Sequence, residues 1–179
     1  MLYDWIILIA VSPWLYLLCR SDWKQRRLPN VLTLGGLVVF LVFRLGAGWE
    51  YFLDGLFGVL ICGGFLLLPV IFRAAGAGDL KMIAACGAAA GMRDSLNFLL
   101  AMALAGLVLV IVMLALHAAD GARLKHYARC LFDWRYDRAE GRKNLPDRED
   151  ERARIPFGAA ISVGIWTTLL LRLVGEYAR

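Results

Sequence analysis

Two aspartates stand where a strongly apolar stretch of chain meets a basic one: Asp22 in Ser21-Asp-Trp-Lys-Gln-Arg-Arg-Leu-Pro-Asn30, and Asp79 in Gly76-Ala-Gly-Asp-Leu-Lys81. A carboxylate at the centre of a membrane helix costs about 2.5 to 3.5 kcal/mol on insertion scales, so acids kept close to a bilayer usually serve chemistry. Two of them facing the same side suggest a catalytic dyad. Carboxyls held close together cannot both ionise easily, so one stays protonated while the other accepts a proton from water. The activated water would attack a carbonyl whose oxygen is hydrogen-bonded by the protonated partner. A coupled pair titrates as a unit, so residue identity does not assign acid and base. This chemistry needs no metal, no cofactor and no covalent intermediate.

The elements that would position such a pair are membrane helices. The chain has 179 residues and is 60% hydrophobic, with a mean hydropathy of +0.63, well above the roughly 45 to 50% apolar share of a soluble domain. Apolar spans fall near residues 3–19, 29–45, 51–72, 76–93, 95–117 and 155–174. The expected fold is all-α, a polytopic membrane protein with a bundle of about six transmembrane helices. Residues 1–179 are expected to form a single integral membrane domain, with a loop at about 118–154. The first span carries Asp4 and no Lys or Arg before Arg20. It lacks the basic start of a cleavable signal peptide and is expected to stay as a span.

Loops assigned alternately to the two sides give a strong charge asymmetry. Of the 20 Lys and Arg residues, four lie in 20–30, two in 73–81 and ten in 118–154, whereas Arg44, Arg93, Arg172 and Arg179 fall on the other side. The positive-inside tendency then puts the three basic loops and both aspartates at the cytoplasmic face, with both termini outside. The net charge of +5 reads as topology and attraction to anionic membrane lipid. No aromatic-interleaved basic pattern points to nucleic acid.

Pro29 suits the first turn of the second span, where its missing N–H would be unpaired anyway. If the first helix continues through Ser21, Asp22 lies at its inner end. The fourth segment, Leu80 to Met92, has 13 residues and rises about 20 Å, too short for a hydrocarbon core of about 30 Å. Its span must begin before Asp79, with Gly76 and Gly78 supplying backbone freedom for a bend. Gly78 is therefore expected to tolerate substitution worse than any glycine of the third span. The Ala and Gly content from Ala84 to Gly91 predicts close helix packing and a central position. Gly55, Gly58, Gly63 and Gly64 give the third span a similar face, with Pro69 bending it near its inner end. Asp54 lies near the outer end of that span, more than about 20 Å from the inner face, and cannot join the pair. Lys81 reads as an inner-end anchor, or else as a counter-charge to Asp79.

Other chemistries find little support. Cys19, Cys62, Cys86 and Cys130 are spaced by 43, 24 and 44 residues, which fits neither a metal site nor a redox pair, so they read as packing residues. His117 and His126 lack the spacing of a zinc protease motif. Ser162 in Ala160-Ile-Ser-Val-Gly164 loosely echoes a nucleophile elbow, but a small hydroxyl in helix packing is the better reading. Within the long loop, residues 121–136 predict a basic surface helix. Residues 137–152 are almost devoid of apolar side chains, a tether whose acids Asp147, Glu149, Asp150 and Glu151 read as a solvated face.

At these residues the chain resembles the prepilin peptidase family, membrane aspartic proteases that remove leader peptides from type IV pilin and pseudopilin precursors. An Asp followed by Arg and Leu-Pro-Asn is matched by Asp22, Arg26 or Arg27, Leu28, Pro29 and Asn30. The Gly-x-Gly-Asp-x-Lys signature is matched by Gly76, Gly78, Asp79 and Lys81, and a late Ile-Pro-Phe-Gly by Ile155, Pro156, Phe157 and Gly158. The resemblance implies that Asp22 and Asp79 are catalytic, that prepilin and pseudopilin precursors are the partners, and that the protein sits in a bacterial cytoplasmic (inner) membrane. Larger members carry a cytoplasmic domain with paired Cys-x-x-Cys motifs between the first spans and also N-methylate the mature pilin. Here Pro29 follows Arg20 by only nine positions, so methyl transfer is not implied. The compact form looks most like peptidases of tight-adherence (Flp) pilus systems.

Two other function classes remain open at this point. A proton- or ion-coupled carrier also uses membrane acids, although both acids here lie toward one face and none sits midway along a span. A non-catalytic subunit of a pilus or secretion assembly is the third reading.

Overall fold

The computed structural model of the protein describes residues 2–25, 28–71, 75–115 and 157–177. They form six helices and, among the described residues, no strand: α1 (Leu2–Gln25), α2 (Asn30–Ala47), α3 (Trp49–Ile71), α4 (Ala77–Ala90), α5 (Met92–Ala115) and α6 (Phe157–Tyr177). All except α4 contain a stretch long and apolar enough to cross a membrane. The chain is an all-α, multi-pass membrane protein, as its composition leads one to expect. The 14 residues of α4 rise about 21 Å, short of a bilayer core. The chain divides into two compact units, Met1–Leu107 with Pro156–Arg179, and Val108–Ile155; the core and the polar clusters described below belong to the first. The expected surface helix and tether at 121–152 lie outside the described residues.

Two hairpins are each closed by one glycine. Gly48, at φ 139°, donates its N–H to the carbonyls of Arg44 and Leu45 at 3.2 and 3.1 Å, linking α2 to α3. Gly91, at φ 84°, donates to the Gly87 carbonyl at 2.9 Å and links α4 to α5. Both occupy positive-φ conformations that a β-carbon disfavours, which is why glycine ends these helices. Tight hairpins make neighbouring helices antiparallel. The end of α1 and the starts of α2, α4 and α6 consequently share one end of the bundle.

Helix starts at that end depart from expectation in two details. Pro29 is the N-cap of α2, one position before its first turn, with its carbonyl accepting from Leu32 and Thr33 N–H at 3.1 and 3.2 Å. Gly78 lies inside α4, and Gly76, its N-cap, has an ordinary extended φ of −79°. The predicted irregular stretch through Gly78 is therefore helix, and backbone freedom is not what glycine contributes at these two positions.

Small residues decide where α4 sits. Met82, Ile83 and every residue from Ala85 to Ala90 are buried, and the helix packs against α2, α3 and α6. A β-carbon on Gly58 of α3 would strike the Gly87 carbonyl, and one on Gly87 would strike the Gly58 carbonyl. The α3 and α4 backbones thus touch directly, the arrangement that small residues permit where lipid supplies no hydrophobic drive. Large apolar side chains such as Ile9, Leu68, Leu104 and Leu171 point outward. Trp14 fastens α1 to α2, donating from Nε1 to the Leu32 carbonyl at 2.8 Å and lying edge-on to Phe40 at 5.2 Å. Trp166 joins α6 to α1 through a 3.1 Å hydrogen bond to Ser12 Oγ.

Candidate active site

Asp22 lies in the last turn of α1 and is buried, only 7% exposed. Its Oδ2 accepts a 2.9 Å hydrogen bond from the backbone N–H of Gly158, the second residue of α6. The first N–H groups of a helix have no partner within it, and the positive end of the helix dipole favours a negative charge there. The start of α6 thus holds one oxygen of Asp22 in place. A β-carbon on residue 158 would lie 2.7 Å from that oxygen, so only glycine allows this approach.

Asp79 lies in the first turn of α4. Its Oδ2 accepts from the N–H of Gly76 at 3.3 Å, so the carboxylate reaches back over the start of its own helix as an N3 acid does in a capping box. Gly76 leaves the room this requires, because a β-carbon there would come within 3.0 Å of Oδ2. Asp79 is half-buried and sits at the same end of the bundle as Asp22.

The two segments that carry these motifs dock on each other. Leu28 packs over Gly78, where a β-carbon would come 3.2 Å from that of Leu28. Two residues beyond Leu28 and three beyond Gly78, Lys81 Nζ donates to Asn30 Oδ1 at 2.8 Å. Lys81 thus binds the start of α2, a partner that its place in the sequence does not reveal. Arg26, Arg27, Ile155 and Pro156 lie outside the described residues.

Sequence spacing says little of what surrounds Gly158. Cys19 Sγ lies 3.2 Å from Ser162 Oγ and 3.8 Å from the Gly158 carbonyl. Ser162 itself donates to that carbonyl at 2.8 Å, a back-bond within its own helix that suits the packing role. A cleft of about 420 Å³ opens alongside, lined by Tyr16, Cys19, Arg20 and Lys24 of α1 and Ala159 of α6. The one available signal was that Cys19 and Asp22 are three residues apart, hence on one face of a helix.

Asp54 is at the opposite end of the bundle. It pairs with Arg44 at 2.7 Å and accepts from Met92 N–H at 3.1 Å. Among the described residues no group of three or more His, Cys, Asp or Glu side chains is arranged to hold a metal ion.

Comparison with known proteins points in one direction. Residues 9–111 match the type IV leader peptidase family. A relative from Pectobacterium carotovorum subsp. carotovorum, a prepilin leader peptidase/N-methyltransferase, is 33% identical over 128 residues, covering 66% of this chain and 45% of that protein. The chain thus spans less than half the length of that relative. No solved structure matches it.

Proposed function

Because the chain belongs to the type IV leader peptidase family, we propose that it is a membrane-embedded aspartic endopeptidase, with Asp22 and Asp79 as the dyad that activates water. Its substrates are type IV prepilins, Flp-type pilins foremost, and related pseudopilins, cleaved at the cytoplasmic face of the bacterial inner membrane. The observation that carries this reading is the meeting of three distant motifs at one end of the bundle. Asp22 takes a hydrogen bond from Gly158, Leu28 covers Gly78, and Asn30 accepts from Lys81. Packing alone does not require these particular polar residues to gather at one level of a bundle.

In this reading one carboxyl is ionised and takes a proton from water, while its protonated partner hydrogen-bonds the scissile carbonyl. The Gly158 N–H occupies one oxygen of Asp22 and fixes the direction in which the other faces. The Gly76 N–H does the same for Asp79. The methyltransferase half of the relative's name stays outside the proposal, since α1 ends at Gln25 and α2 begins at Asn30, leaving no space between them for an inserted domain. The concentration of Lys and Arg in the loops at the Asp22 end supports the cytoplasmic assignment.

The test is a prepilin precursor incubated with the purified protein in proteoliposomes that carry no ion gradient. Leader loss, abolished by Asp22→Asn and by Asp79→Asn with membrane insertion intact, is the expected result. Full activity in either variant would remove that aspartate from the dyad, and an intact precursor with the unaltered protein would overturn the peptidase reading.

A further inference from the structure

At the end of the bundle opposite the dyad, Arg44 and Arg172 both bind the last turn of α4. Arg44, one turn before the end of α2, is 1% exposed. It donates from NH2 to the Ala89 carbonyl at 2.9 Å and from NH1 to Asp54 Oδ2 at 2.7 Å and the Tyr51 carbonyl at 3.2 Å. Its side chain lies in a slot that two glycines leave open. A β-carbon on Gly55 would strike the Arg44 side chain, and one on Gly91 would lie 2.8 Å from NH2. Arg172 of α6 approaches the next carbonyl, Ala90, at 3.4 Å. It is held there by Asp4 of α1 at 2.8 Å and Asp94 of α5 at 3.3 Å.

This arrangement answers a difficulty created by the length of α4. At 14 residues the helix is about 9 Å shorter than a bilayer core requires, and its last carbonyls have no partner within the helix. Ala89 and Ala90 are each 1% exposed, so water is poorly placed to supply one. Two guanidinium groups provide the donors, and their positive charge suits the C-terminal end of a helix. From Ala84 to Ala90 α4 presents only alanine, glycine and Cys86 to its neighbours, a surface with few projections to resist sliding along the helix axis. Contacts at its two ends therefore set its height, the arginines here and the Leu28–Gly78 and Asn30–Lys81 contacts at the other.

We propose that Arg44 and Arg172 are positioning residues for Asp79: by clamping the outer end of α4 they fix where its inner end holds the carboxylate. The inference rests on the assignment of Asp79 to the dyad. Ala89 and Asp79 are ten residues apart, about 15 Å along one continuous helix, so an axial shift at one end arrives at the other undiminished. A misplacement of about 1 Å can cost about a hundredfold in rate.

The experiment compares Arg44→Met, Arg172→Met and Arg44→Lys in the full-length protein reconstituted in lipid. The clamp predicts that each Met variant lowers kcat for precursor cleavage about tenfold or more, with KM changed less than about twofold. Lysine at position 44 restores part of the loss, because a single ammonium lacks the fork that serves Ala89 and Asp54 together. A second readout is independent of cleavage: a short bifunctional thiol reagent bridging Asn30→Cys and Lys81→Cys, with the linked peptide identified by mass spectrometry. Adding Arg44→Met should lower the yield of that link severalfold. Unchanged kcat in a folded, monodisperse Met variant, or a rise in KM alone, would overturn the proposal. If Arg44→Met does not fold, Arg172→Met and Arg44→Lys decide in the same way. An unaltered protein that cleaves no precursor removes the peptidase reading, while the cross-link yield still decides whether the arginines set the height of α4.

Discussion

Lys81 of α4 donates a 2.8 Å hydrogen bond to the side-chain oxygen of Asn30, the first residue of α2. With Leu28 packed over Gly78, this bond makes a two-point seam between the loop that follows Asp22 and the turn that carries Asp79. The two candidate carboxylates belong to α1 and α4, with the whole of α2 and α3 between them in the chain, so the seam couples their supports.

A double-mutant cycle tests that coupling. An exposed charge-to-amide hydrogen bond is worth about 1 kcal/mol, so Lys81→Ala and Asn30→Ala should each lower stability by about that amount. The double variant should lose little more than the worse single one, since both remove the same bond. Thermal unfolding in detergent measures stability, and each single variant should also cleave several times more slowly. Fully additive losses would show that the two side chains act separately.

Gly158 permits a sharper prediction. In Gly158→Ala the backbone N–H is kept, yet the new methyl carbon would sit 2.7 Å from Asp22 Oδ2, well inside contact distance. The carboxylate must move, and cleavage should fall by about tenfold to a hundredfold with the protein still inserted. Gly175→Ala, near the other end of the same helix and with nothing within 4 Å of an added β-carbon, should leave the rate unaltered. Equal rates in the two variants would mean that Asp22 does not need this contact.

How much of this was legible beforehand follows from what each feature depends on. The five long helices were legible because a bilayer demands apolar runs of about 20 residues, and such runs are local in sequence. The central place of α4 was legible from its alanines and glycines. The single-glycine hairpins were not, because 18 glycines are spread through the chain and only geometry separates Gly48 and Gly91 from those that serve close packing. Contacts between distant residues were also hidden: Asp22 meets Gly158 across 136 positions and Arg44 meets Ala89 across 45. The motif resemblance brought Gly158 into view without giving a reason for it, and the 2.9 Å bond to Asp22 supplies that reason.

Cys19 shows how a packing residue can still report on the site. Its thiol lies beside the Gly158 carbonyl and lines the cleft between α1 and α6, whereas Cys62 and Cys86 are fully buried. A maleimide should therefore slow cleavage through bulk alone, since the proposed dyad uses no thiol. With Cys130→Ala as background, Cys19→Ala should cleave at a near-normal rate and become resistant to the reagent. Loss of cleavage on Cys19→Ala itself would give the thiol a larger part than packing.

The glycines of α3 and α4 should differ in order and in kind. The sequence predicts that Gly78 tolerates substitution worse than any glycine of the third span because of backbone freedom, but it is helical, and its constraint is the 3.2 Å approach to Leu28. At that distance the Leu28 side chain must give way by a few tenths of an ångström, so Gly78→Ala should cost a few-fold in rate. Gly78→Val, with two more carbons, should remove most activity while the protein still folds and retains bound precursor. Gly58 is more demanding than Gly78, contrary to the sequence expectation, because an added β-carbon there meets the Gly87 backbone carbonyl, which cannot rotate aside. Gly58→Ala should therefore lower the amount of folded protein as well as its activity, forcing apart two backbones packed at native density. Gly63→Ala, whose new carbon would rest 3.7 Å from Ala84 in ordinary contact, should behave as the unaltered protein. Cleavage rate, yield of monodisperse protein and co-purified precursor, measured together on Gly78→Val, Gly58→Ala and Gly63→Ala, separate the three cases. Near-normal cleavage in Gly78→Val would show that the Leu28 seam leaves Asp79 undisturbed, and a well-folded Gly58→Ala would show that α3 and α4 have room to part.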